Sequence, residues 1–508
     1  MSRLRRCALL VLATAVGGLA GCAVGPDFHR PAAPAVSGYT AEPLTPLPPQ
    51  VGYTASEAQR FVEQQDIPAQ WWTLFHSPQI NSLVEQALKA NPNVHAAEAA
   101  LRVAMEEYQA QRGIYLPAVQ ANASSSRQRN AVGTPAPTLT SSEPLFNLYT
   151  AQVSVSYVLD FFGGNRRQIE SSAAQAAYQR FELEATYLTL SANVVTAAIQ
   201  EASLRAQIDA TGEIVRIESE VLLRMRKQLE LGSIAESDVL AQQSALAQAE
   251  ATLPGLNKQL ASQRTLLAAL AGDFPDQEPA ARFELAALQL PSDLPVSLPS
   301  RLVNQRPDIR AAEEQLHAAS AQVGVALSNM LPQVTLSAGA GSSATSTAAL
   351  FAAGNNFWSV AGGVAQPLFA GGSLLHHKRA ADAALQQAAA QYQATVIAAF
   401  ENVSDSLRAI QFDAATLEAQ TRAERAATET FHIARQQVDL GSVSPLALLS
   451  AEQSYQQAHL ARMQAVAARL RDTATLFQAL GGGWWNRQDP LISSGHPETP
   501  VHDAVIPR

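Results

Sequence analysis

The residues of this chain with the clearest chemical role are its cysteines, of which the 508-residue sequence has two, Cys7 and Cys22. Arginines stand within the first six residues, an apolar run of about a dozen residues follows, and residues 19–22 read Leu-Ala-Gly-Cys. A basic stretch, an apolar stretch and small residues before a cleavage point are typical of a secretory signal peptide. We therefore predict a signal peptide over residues 1–21, which makes Cys22 the first residue of the mature chain.

Residues 19–22 resemble the bacterial lipobox, in which the cysteine thiol takes a diacylglycerol and the new N-terminus is acylated after cleavage. The resemblance implies covalent lipid on Cys22, diacylglycerol and palmitate, and no other cofactor. Acyl chains contribute about 0.8 kcal/mol per buried methylene, so an acylated Cys22 would hold the protein on a membrane. In such lipoproteins an Asp after the cysteine gives retention at the inner membrane, whereas Ala23 favours the outer membrane. The alternative is an ordinary signal peptide with an incidental cysteine.

Charge and composition exclude several classes of function. The chain carries 35 basic and 44 acidic residues, and no basic tract follows the signal peptide, so we expect no nucleic-acid partner. A mature chain with Cys22 alone forms no internal disulfide. The sequence has no nucleophile elbow, phosphate loop or cluster of metal ligands, and His376 and His377 lack further ligands. We therefore expect neither an enzyme nor a metal site.

After the signal peptide the sequence predicts a lipidated, proline-rich linker over residues 22–60 and then two structural repeats. The repeats, 61–272 and 299–480, have a period of about 210 residues, which is too long for a solenoid unit and indicates a duplicated half. Residues 273–298 form a linker in the equatorial part, and residues 481–508 form the C-terminal tail. The paired landmarks are residues 91–94 and 306–309, 97–101 and 312–316, 115–117 and 330–332, 161–164 and 369–372, and 231–233 and 440–442.

Within each repeat the hydrophobic pattern changes from helix to strand and back to helix. Pro92 and Pro307 mark helix starts or kinks, because proline is tolerated in a first turn and not in a helix interior. The longest helices would be rods of about 100 Å, which no compact domain accommodates. The predicted helices are 79–113, 165–231 and 236–271 in the first repeat and 299–329, 373–440 and 445–480 in the second, so that helical hairpins span 165–271 and 373–480.

Between the helices, apolar residues alternate with small polar ones. Val153, Val155 and Tyr157 lie on one parity, and Ser154 and Ser156 on the other. This period of two fits strands with one face in lipid and one in water, each long enough to cross a bilayer in about 9–11 residues. A half-buried sheet of a soluble domain is the alternative. The predicted strands are 117–131, 147–162, 332–345 and 357–370, in hairpins over 117–162 and 332–370.

Strands that cross a bilayer must belong to a closed barrel, because hydrocarbon does not tolerate open sheet edges. The strands of one chain cannot close a barrel, so we expect copies of the chain to pool them. Two copies would give a barrel filled by its own side chains, whereas three copies give one wide enough for water. Small residues on the inward parity favour a homotrimer with an open lumen. The architecture predicts a conduit.

Four further motifs carry a family resemblance. Residues 22–28 read Cys-Ala-Val-Gly-Pro-Asp-Phe, residues 71–75 read Trp-Trp-Thr-Leu-Phe, residues 305–313 read Gln-Arg-Pro-Asp-Ile-Arg-Ala-Ala-Glu, and residues 480–484 read Leu-Gly-Gly-Gly-Trp. In this order they resemble the TolC-like outer membrane factor family, and within it the lipoprotein branch that serves multidrug efflux pumps of the resistance-nodulation-division class. The resemblance covers nearly the whole mature chain.

The resemblance implies a membrane α+β fold: a trimeric, twelve-stranded outer-membrane β-barrel with four strands from each chain, continued by a long α-helical tunnel, with a mixed equatorial domain. It implies a passive exit duct for drugs and other small molecules, anchored by lipid in the cell outer membrane and extending into the periplasm. The implied partners are a periplasmic adaptor, or membrane fusion protein, and an inner-membrane pump. A duct of a type I protein secretion system and a structural coiled-coil lipoprotein without a channel remain as alternatives.

The loops between the long helices are the expected adaptor contacts. Glycine commonly follows a helix C-terminus and serine commonly caps the next helix, and small residues allow close packing of one tip on another. The predicted contact residues are Gly232, Ser233, Gly441 and Ser442.

A periplasmic gate is expected beside the same loops. The positions that carry the family's acidic rings are Ala447 and Ser450 here, so this sequence departs from the family pattern. Asp238 matches a family Asp that ties the closed tip, and the position of its usual Tyr partner is Val438. A substitute ion-pair latch is one interpretation, and ordinary solvated helix ends are the other. The candidate gate residues are Glu236, Asp238, Arg435 and Asp439.

Overall fold

The computed structural model describes residues 23–36, 38–44, 47, 59–129, 145–278, 281–440, 442–443 and 445–487. The predicted signal peptide, Cys22 and Gly441 lie outside the described residues. Clustering of contacts divides the chain into two compact units. Among the described residues, the first unit contains those up to Pro31, Ala100–Gln179 and Ala312–Tyr392, and the second unit contains Ala32–Ala99, Arg180–Ala311 and those from Gln393 onward.

The first unit contains a four-stranded sheet with the order β2-β3-β5-β6. Its strands are β2 Ala118–Arg129, β3 Leu145–Leu159, β5 Gln333–Ala344 and β6 Asn356–Ala365, and each neighbouring pair is antiparallel. The strands begin close to where the sequence predicts them, but two end early. β3 stops at Leu159 because the Asp160 carboxylate accepts from the backbone N–H groups of Asn165 and Arg166, at 3.0 Å each, and so caps the next helix.

The second early end is that of β6, which was expected to reach residue 370 and ends at Ala365. Pro367 follows closely and has no N–H to donate to a neighbouring strand. Gln366 instead turns its side-chain amide to the backbone oxygen of Met330, at 3.0 Å.

Proline and the residue before it divide each of the first helices in two. Helices α1 Pro78–Ala90 and α2 Pro92–Arg112 replace the single helix expected over 79–113, and α5 Pro299–Gln305 and α6 Pro307–Ser328 replace the one over 299–329. Asn91 and Arg306 are extended because a following proline disfavours the helical conformation. The prolines are therefore helix starts, one of the two outcomes that the sequence allowed.

The long helices follow the sequence prediction within a residue or so at each end. They are α3 Gly164–Glu230 and α7 Ser373–Asp439, both of 67 residues, with the return helices α4 Glu236–Ala271 and α8 Pro445–Ala479. In the part of the chain that the structure describes, no helix is both long and apolar enough to cross a membrane.

The second unit is built around an aromatic core. Trp71 is 1% exposed, stacks on Phe477 at 5.5 Å between ring centroids, and meets Trp72 and Phe75 edge to face. Such aromatic pairs stabilise the fold by more than the burial of their apolar surface alone. Beside this core, β1 Arg60–Glu63 pairs in parallel with β4 Asp293–Val296, and the sequence predicted no strand at either place.

Candidate functional site

The register of the four-stranded sheet separates apolar from polar residues. Directly paired residues of neighbouring strands lie on the same face of a sheet. One face carries the rows Val119–Val155–Ala338–Val360 and Ala121–Val153–Ala340–Trp358. The other face carries the rows Gln120–Ser154–Gly339–Ser359 and Ala118–Ser156–Ser337–Ala361. In these rows the alternation seen in single strands extends across all four strands, with an apolar face and a face of small and polar side chains.

The sheet has two open edges in the described part of one chain. β2 and β6 each pair on one side only, and their residues are exposed throughout. Val360 is 74% exposed and Trp358 is 78% exposed on the apolar face. Unpaired strand edges and large exposed apolar side chains both mark surfaces that another chain or a lipid phase covers.

The residues after the predicted lipid site are held in the first unit. We call residues 23–30 the anchor segment. The backbone N–H of Val24 donates to the oxygen of Phe162 at 2.9 Å, just beyond the end of β3. Gly25 and Gly324 approach so closely that a β-carbon on Gly25 would lie 2.4 Å from the α-carbon of Gly324. Glycine is therefore needed for the anchor segment to lie this close to α6.

Arg167 of α3 holds the anchor segment by charge. Its side chain is 6% exposed and donates to Oδ1 of Asp27 at 2.5 Å, to Oε2 of Glu170 at 2.8 Å and to the backbone oxygen of Val24 at 3.3 Å. Arg30 pairs with Glu313 of α6 at 2.8 Å. Charge-assisted hydrogen bonds of a buried guanidinium fix both position and orientation.

His317 of α6 completes the same site. Its ring stacks on Phe28 at 4.3 Å between centroids, its Nε2 lies 2.9 Å from Oε1 of Glu170, and its Nδ1 lies 3.5 Å from Oε2 of Glu314. Burial alone would lower the pKa of His317, but the hydrogen bonds to Glu170 and Glu314 outweigh it and raise the pKa from 6.5 to about 9. The ring is therefore an imidazolium at neutral pH.

The raised pKa of His317 predicts a pH dependence of the contact between α3 and α6, because Glu170 lies on α3 and His317 lies on α6. The charge of His317 stabilises this contact fully below its ordinary pKa of 6.5, and the contribution is lost as the pH rises through about 9. We expect the protection of residues 166–174 and 312–322 against hydrogen–deuterium exchange, corrected for the intrinsic rate, to decline over that window. His317→Gln should remove the decline, and the exposed His376→Gln should keep it. Constant protection of the unsubstituted protein across the window would contradict this role.

The two helix tips in the second unit make equivalent contacts to their own backbone. The backbone N–H of Ser233 donates to the oxygen of Gln228 at 3.0 Å, and its hydroxyl donates to the same oxygen at 2.8 Å. Ser442 makes both contacts to Gln437, at 2.9 Å each. The expectation that Ser233 caps the following helix is wrong, since the N-cap of α4 is Ala235. Each serine instead closes the preceding helix, whose last carbonyl groups need donors.

Small apolar clusters lie behind each tip. Leu222, Met225 and Val239 pack together behind the first, and Phe431, Ala434, Leu448 and Ala451 behind the second. Gly232 has φ +72°, a conformation that glycine adopts without strain, and no atom lies near a β-carbon built on it. The described tip residues Gly232, Ser233 and Ser442 are exposed, as a contact surface requires.

The candidate gate residues lie on helix ends. Glu236 and Asp238 occupy the first turn of α4, where negative charge stabilises a helix N-terminus. In the described residues neither of them forms an ion pair with Arg435, which is exposed. The side chain of Asp439 lies outside the described residues, so the ion-pair latch stays a prediction. Val438 packs against the second apolar cluster.

Further sequence expectations concern metals and acidic rings. Ala447 and Ser450 are both exposed near the second tip. His376 and His377 are exposed at the start of α7. Over the described ranges, no group of three or more histidine, cysteine or acidic side chains is arranged to hold a metal ion.

Sequence reasoning missed the anchor segment, which it assigned to a linker. Asp27 and Arg167 are 140 positions apart, and Arg30 and Glu313 are 283 apart, so no local pattern joins them. The one available signal was the motif at residues 22–28 with Arg30 beside it, since glycine, acid and aromatic residues in so short a segment indicate specific contacts.

Comparison with known proteins gives a consistent result. The toluene efflux pump outer membrane protein TtgC of Pseudomonas putida is 30% identical over 496 residues, which cover 97% of this chain and 99% of TtgC. The probable outer membrane lipoprotein SilC of Salmonella typhimurium is 28% identical over 473 residues, 92% of this chain and 96% of SilC. The crystal structure of the outer membrane protein VceC from Vibrio cholerae matches with a TM-score of 0.76 and 27% identity, over 82% of this chain and 100% of the VceC chain.

A family model described as outer membrane efflux protein matches residues 83–273 and 298–482. These segments contain both strand pairs of the four-stranded sheet and both long helical hairpins. Since they take up well over half of the sequence, the chain belongs to the outer membrane efflux protein family.

Proposed function

We propose that this protein is the outer-membrane exit duct of a tripartite efflux system, through which drugs and other small molecules pass without chemical change. The single observation that carries the proposal is the register of the four-stranded sheet, which gives its middle rows one apolar face and one face of small and polar residues. A membrane barrel with a water-filled lumen needs these two faces. Membership of the efflux family supports the same function.

The proposal requires three copies of the chain. A four-stranded sheet with two open edges cannot stay open in hydrocarbon, so the strands of several copies must pair edge to edge. Three copies give twelve strands, which leave room for water, whereas eight strands are filled by their own side chains. The long helices α3 and α7 would continue the duct as an α-helical tunnel into the periplasm.

Cys22 is the proposed lipid anchor, and the docked anchor segment supports it. Residues 23–30, which directly follow Cys22 in the sequence, are fastened at the end of β3. SilC is described as a probable lipoprotein, which supports the same modification here. Acylation would fix each copy in the outer membrane in addition to its strands.

Substituting Cys22 by serine tests this anchor. Serine has no sulfur atom to form the thioether to diacylglycerol, so we expect labelling with radioactive palmitate to disappear. The double variant Cys22→Ser, Ala23→Cys serves as control. It should remain unlabelled, because its cysteine lies outside the lipobox. Palmitate labelling of Cys22→Ser equal to that of the unsubstituted protein would contradict the assignment.

The tips are the proposed contacts for a periplasmic adaptor protein that links the duct to an inner-membrane pump. Gly232, Ser233 and Ser442 are exposed and small, and the apolar clusters behind them keep the loops in place. Gly441 belongs to the same proposed surface. Small residues let helices of a partner approach closely, so this surface suits a helical hairpin of the adaptor.

Conductance in planar lipid bilayers tests the duct. The purified assembly should conduct ions. If the tips are closed by ion pairs, it should conduct after Glu236, Asp238 and Arg435 are replaced together by neutral residues. Native mass spectrometry of the same sample should give three chains. An assembly that never conducts, with or without the tip substitutions, would contradict a duct and favour a structural lipoprotein.

A further inference from the structure

The second unit encloses two carboxyl groups that the proposed duct does not use. Glu218 of α3 is 1% exposed and Glu452 of α8 is 2% exposed. Among the described residues, neither side-chain oxygen of Glu452 accepts a hydrogen bond, and Oε2 of Glu218 also lacks a donor. Buried carboxylates are normally paired with a cation or fully hydrogen-bonded. These two acids therefore need an explanation.

Contacts from three helices bring the acids into one site. Gln456 lies four residues after Glu452 on α8 and donates from Nε2 to Oε1 of Glu218 at 3.4 Å. Residues four apart share one face of a helix, so Glu452 faces α3 as well. Gln242 of α4 donates from Nε2 to the backbone oxygen of Glu218 at 3.4 Å. The Oε1 of Gln242, a residue 1% exposed, has no donor in the described part of the chain.

The charges that face this site come from all four helices. Glu250 of α4 adds a negative charge near Glu218, and Arg435 of α7 supplies the positive charge near Glu452. Burial and then the charge of Glu218 raise the pKa of Glu452 to about 7, although Arg435 opposes them. Burial raises the pKa of Glu218 too, against the hydrogen bond from Gln456 and with the help of Glu250. The site thus has an excess of acceptors and of negative charge.

We propose that Glu218 and Glu452 form a proton-binding site that fastens the helices near the second tip. A proton on Glu452 removes one of two buried like charges and supplies an O–H donor to a site whose free polar atoms are all acceptors. When the proton leaves to solvent, the two carboxylates repel each other and α8 separates more easily from α3. Glu452 lies about 10 Å along α8 from Pro445, so the loosened part is the tip end of the hairpin. This inference concerns the helix packing of the chain and does not rest on the transport function.

Hydrogen–deuterium exchange of the full assembled protein tests the site. The probes are the backbone amides of residues 446–460 and 212–224, with rates corrected for the intrinsic pH dependence of exchange. A carboxyl whose pKa is raised in the packed state binds more protons there, so packing weakens as the pH rises from about 4.5 through about 7. We expect the protection of these amides to fall about tenfold per pH unit over most of this window and to level off above it.

Glu452→Gln keeps the size of the side chain and cannot ionise, so the fall in protection towards pH 7 should be lost and only a smaller change from Glu218 should remain. Glu218→Gln retains Glu452 but removes the neighbouring negative charge. Protection of the amides should therefore be higher than in the unsubstituted protein, and the midpoint of its decline should lie at a lower pH. A purely structural loss of packing would lower protection at every pH instead. Glu429→Gln, at an exposed acid of α7, is the matched control and should behave as the unsubstituted protein. Equal pH profiles for Glu452→Gln and the unsubstituted protein would overturn the proposal. Restoration of protection at about pH 8 by millimolar Mg²⁺ or Ca²⁺ would also overturn it, in favour of a divalent-cation site.

Discussion

Val153→Arg is expected to destabilise the membrane part of the assembled protein by about 2–4 kcal/mol, because it places a charge at mid-strand on the lipid face of a barrel. Val153 lies in β3, is 48% exposed in a single chain, and shares its row with Ala121, Ala340 and Trp358. In the proposed trimer nothing but lipid covers this row. The measurement is the free energy of unfolding in lipid vesicles, from denaturant titration.

Gln152→Arg is the matched control for this experiment. Gln152 precedes Val153 in the same strand and pairs with Asn122 and Gly341, so it lies on the opposite, polar face. An arginine there would enter water, and we expect a change within about 1 kcal/mol. If both variants lose the same stability, or if Gln152→Arg loses more, the assignment of the two faces is wrong.

Arg167→Met is expected to release the anchor segment. The side chain is 6% exposed, and its removal leaves Asp27, Glu170 and the backbone oxygen of Val24 without the donor that now joins them. The Asp27 side chain is 81% exposed, so solvent screens its pair with Arg167, and the lost pair and hydrogen bond together cost about 1–2 kcal/mol. We therefore expect the protection of residues 23–30 against hydrogen–deuterium exchange to fall about tenfold, while amides of the neighbouring helices change little.

Arg166→Met is the control for Arg167→Met. The Arg166 side chain is 40% exposed, and its Nε lies 3.6 Å from Asp160, so it forms a surface pair worth at most about 1 kcal/mol. Residues 23–30 should keep their protection in this variant. Equal exchange in the two variants would mean that Arg167 does not hold the anchor segment.

Local patterns were enough to predict the long elements of this fold. The ends of the four long helices could be predicted from the loops that contain Gly232 and Pro445. The helical pattern between these loops gave the rest of α3, α4, α7 and α8. The two faces of the sheet follow from alternation within β3, because register carries one strand's parity to its neighbours.

Contacts between distant residues could not be predicted in the same way. β1 and β4 are four residues each and pair in parallel from positions more than two hundred residues apart, so neither has a periodic signal of its own. The anchor segment depends on Asp27 and Arg167, which only the folded chain brings together. Tertiary packing decides such positions.

Chemical labelling of single cysteines in β3 tests the central claim, that the polar face of the sheet lines a water-filled lumen. The proposed mature chain has Cys22 as its one cysteine, which the proposed lipid would block, so an introduced thiol would be the only free one in it. Ser154→Cys and Val153→Cys place thiols on opposite faces of the same strand. The account predicts that a membrane-impermeant maleimide labels Ser154→Cys in the intact membrane and labels Val153→Cys only after denaturation. Labelling of Val153→Cys with Ser154→Cys protected, or equal labelling of both, would contradict it.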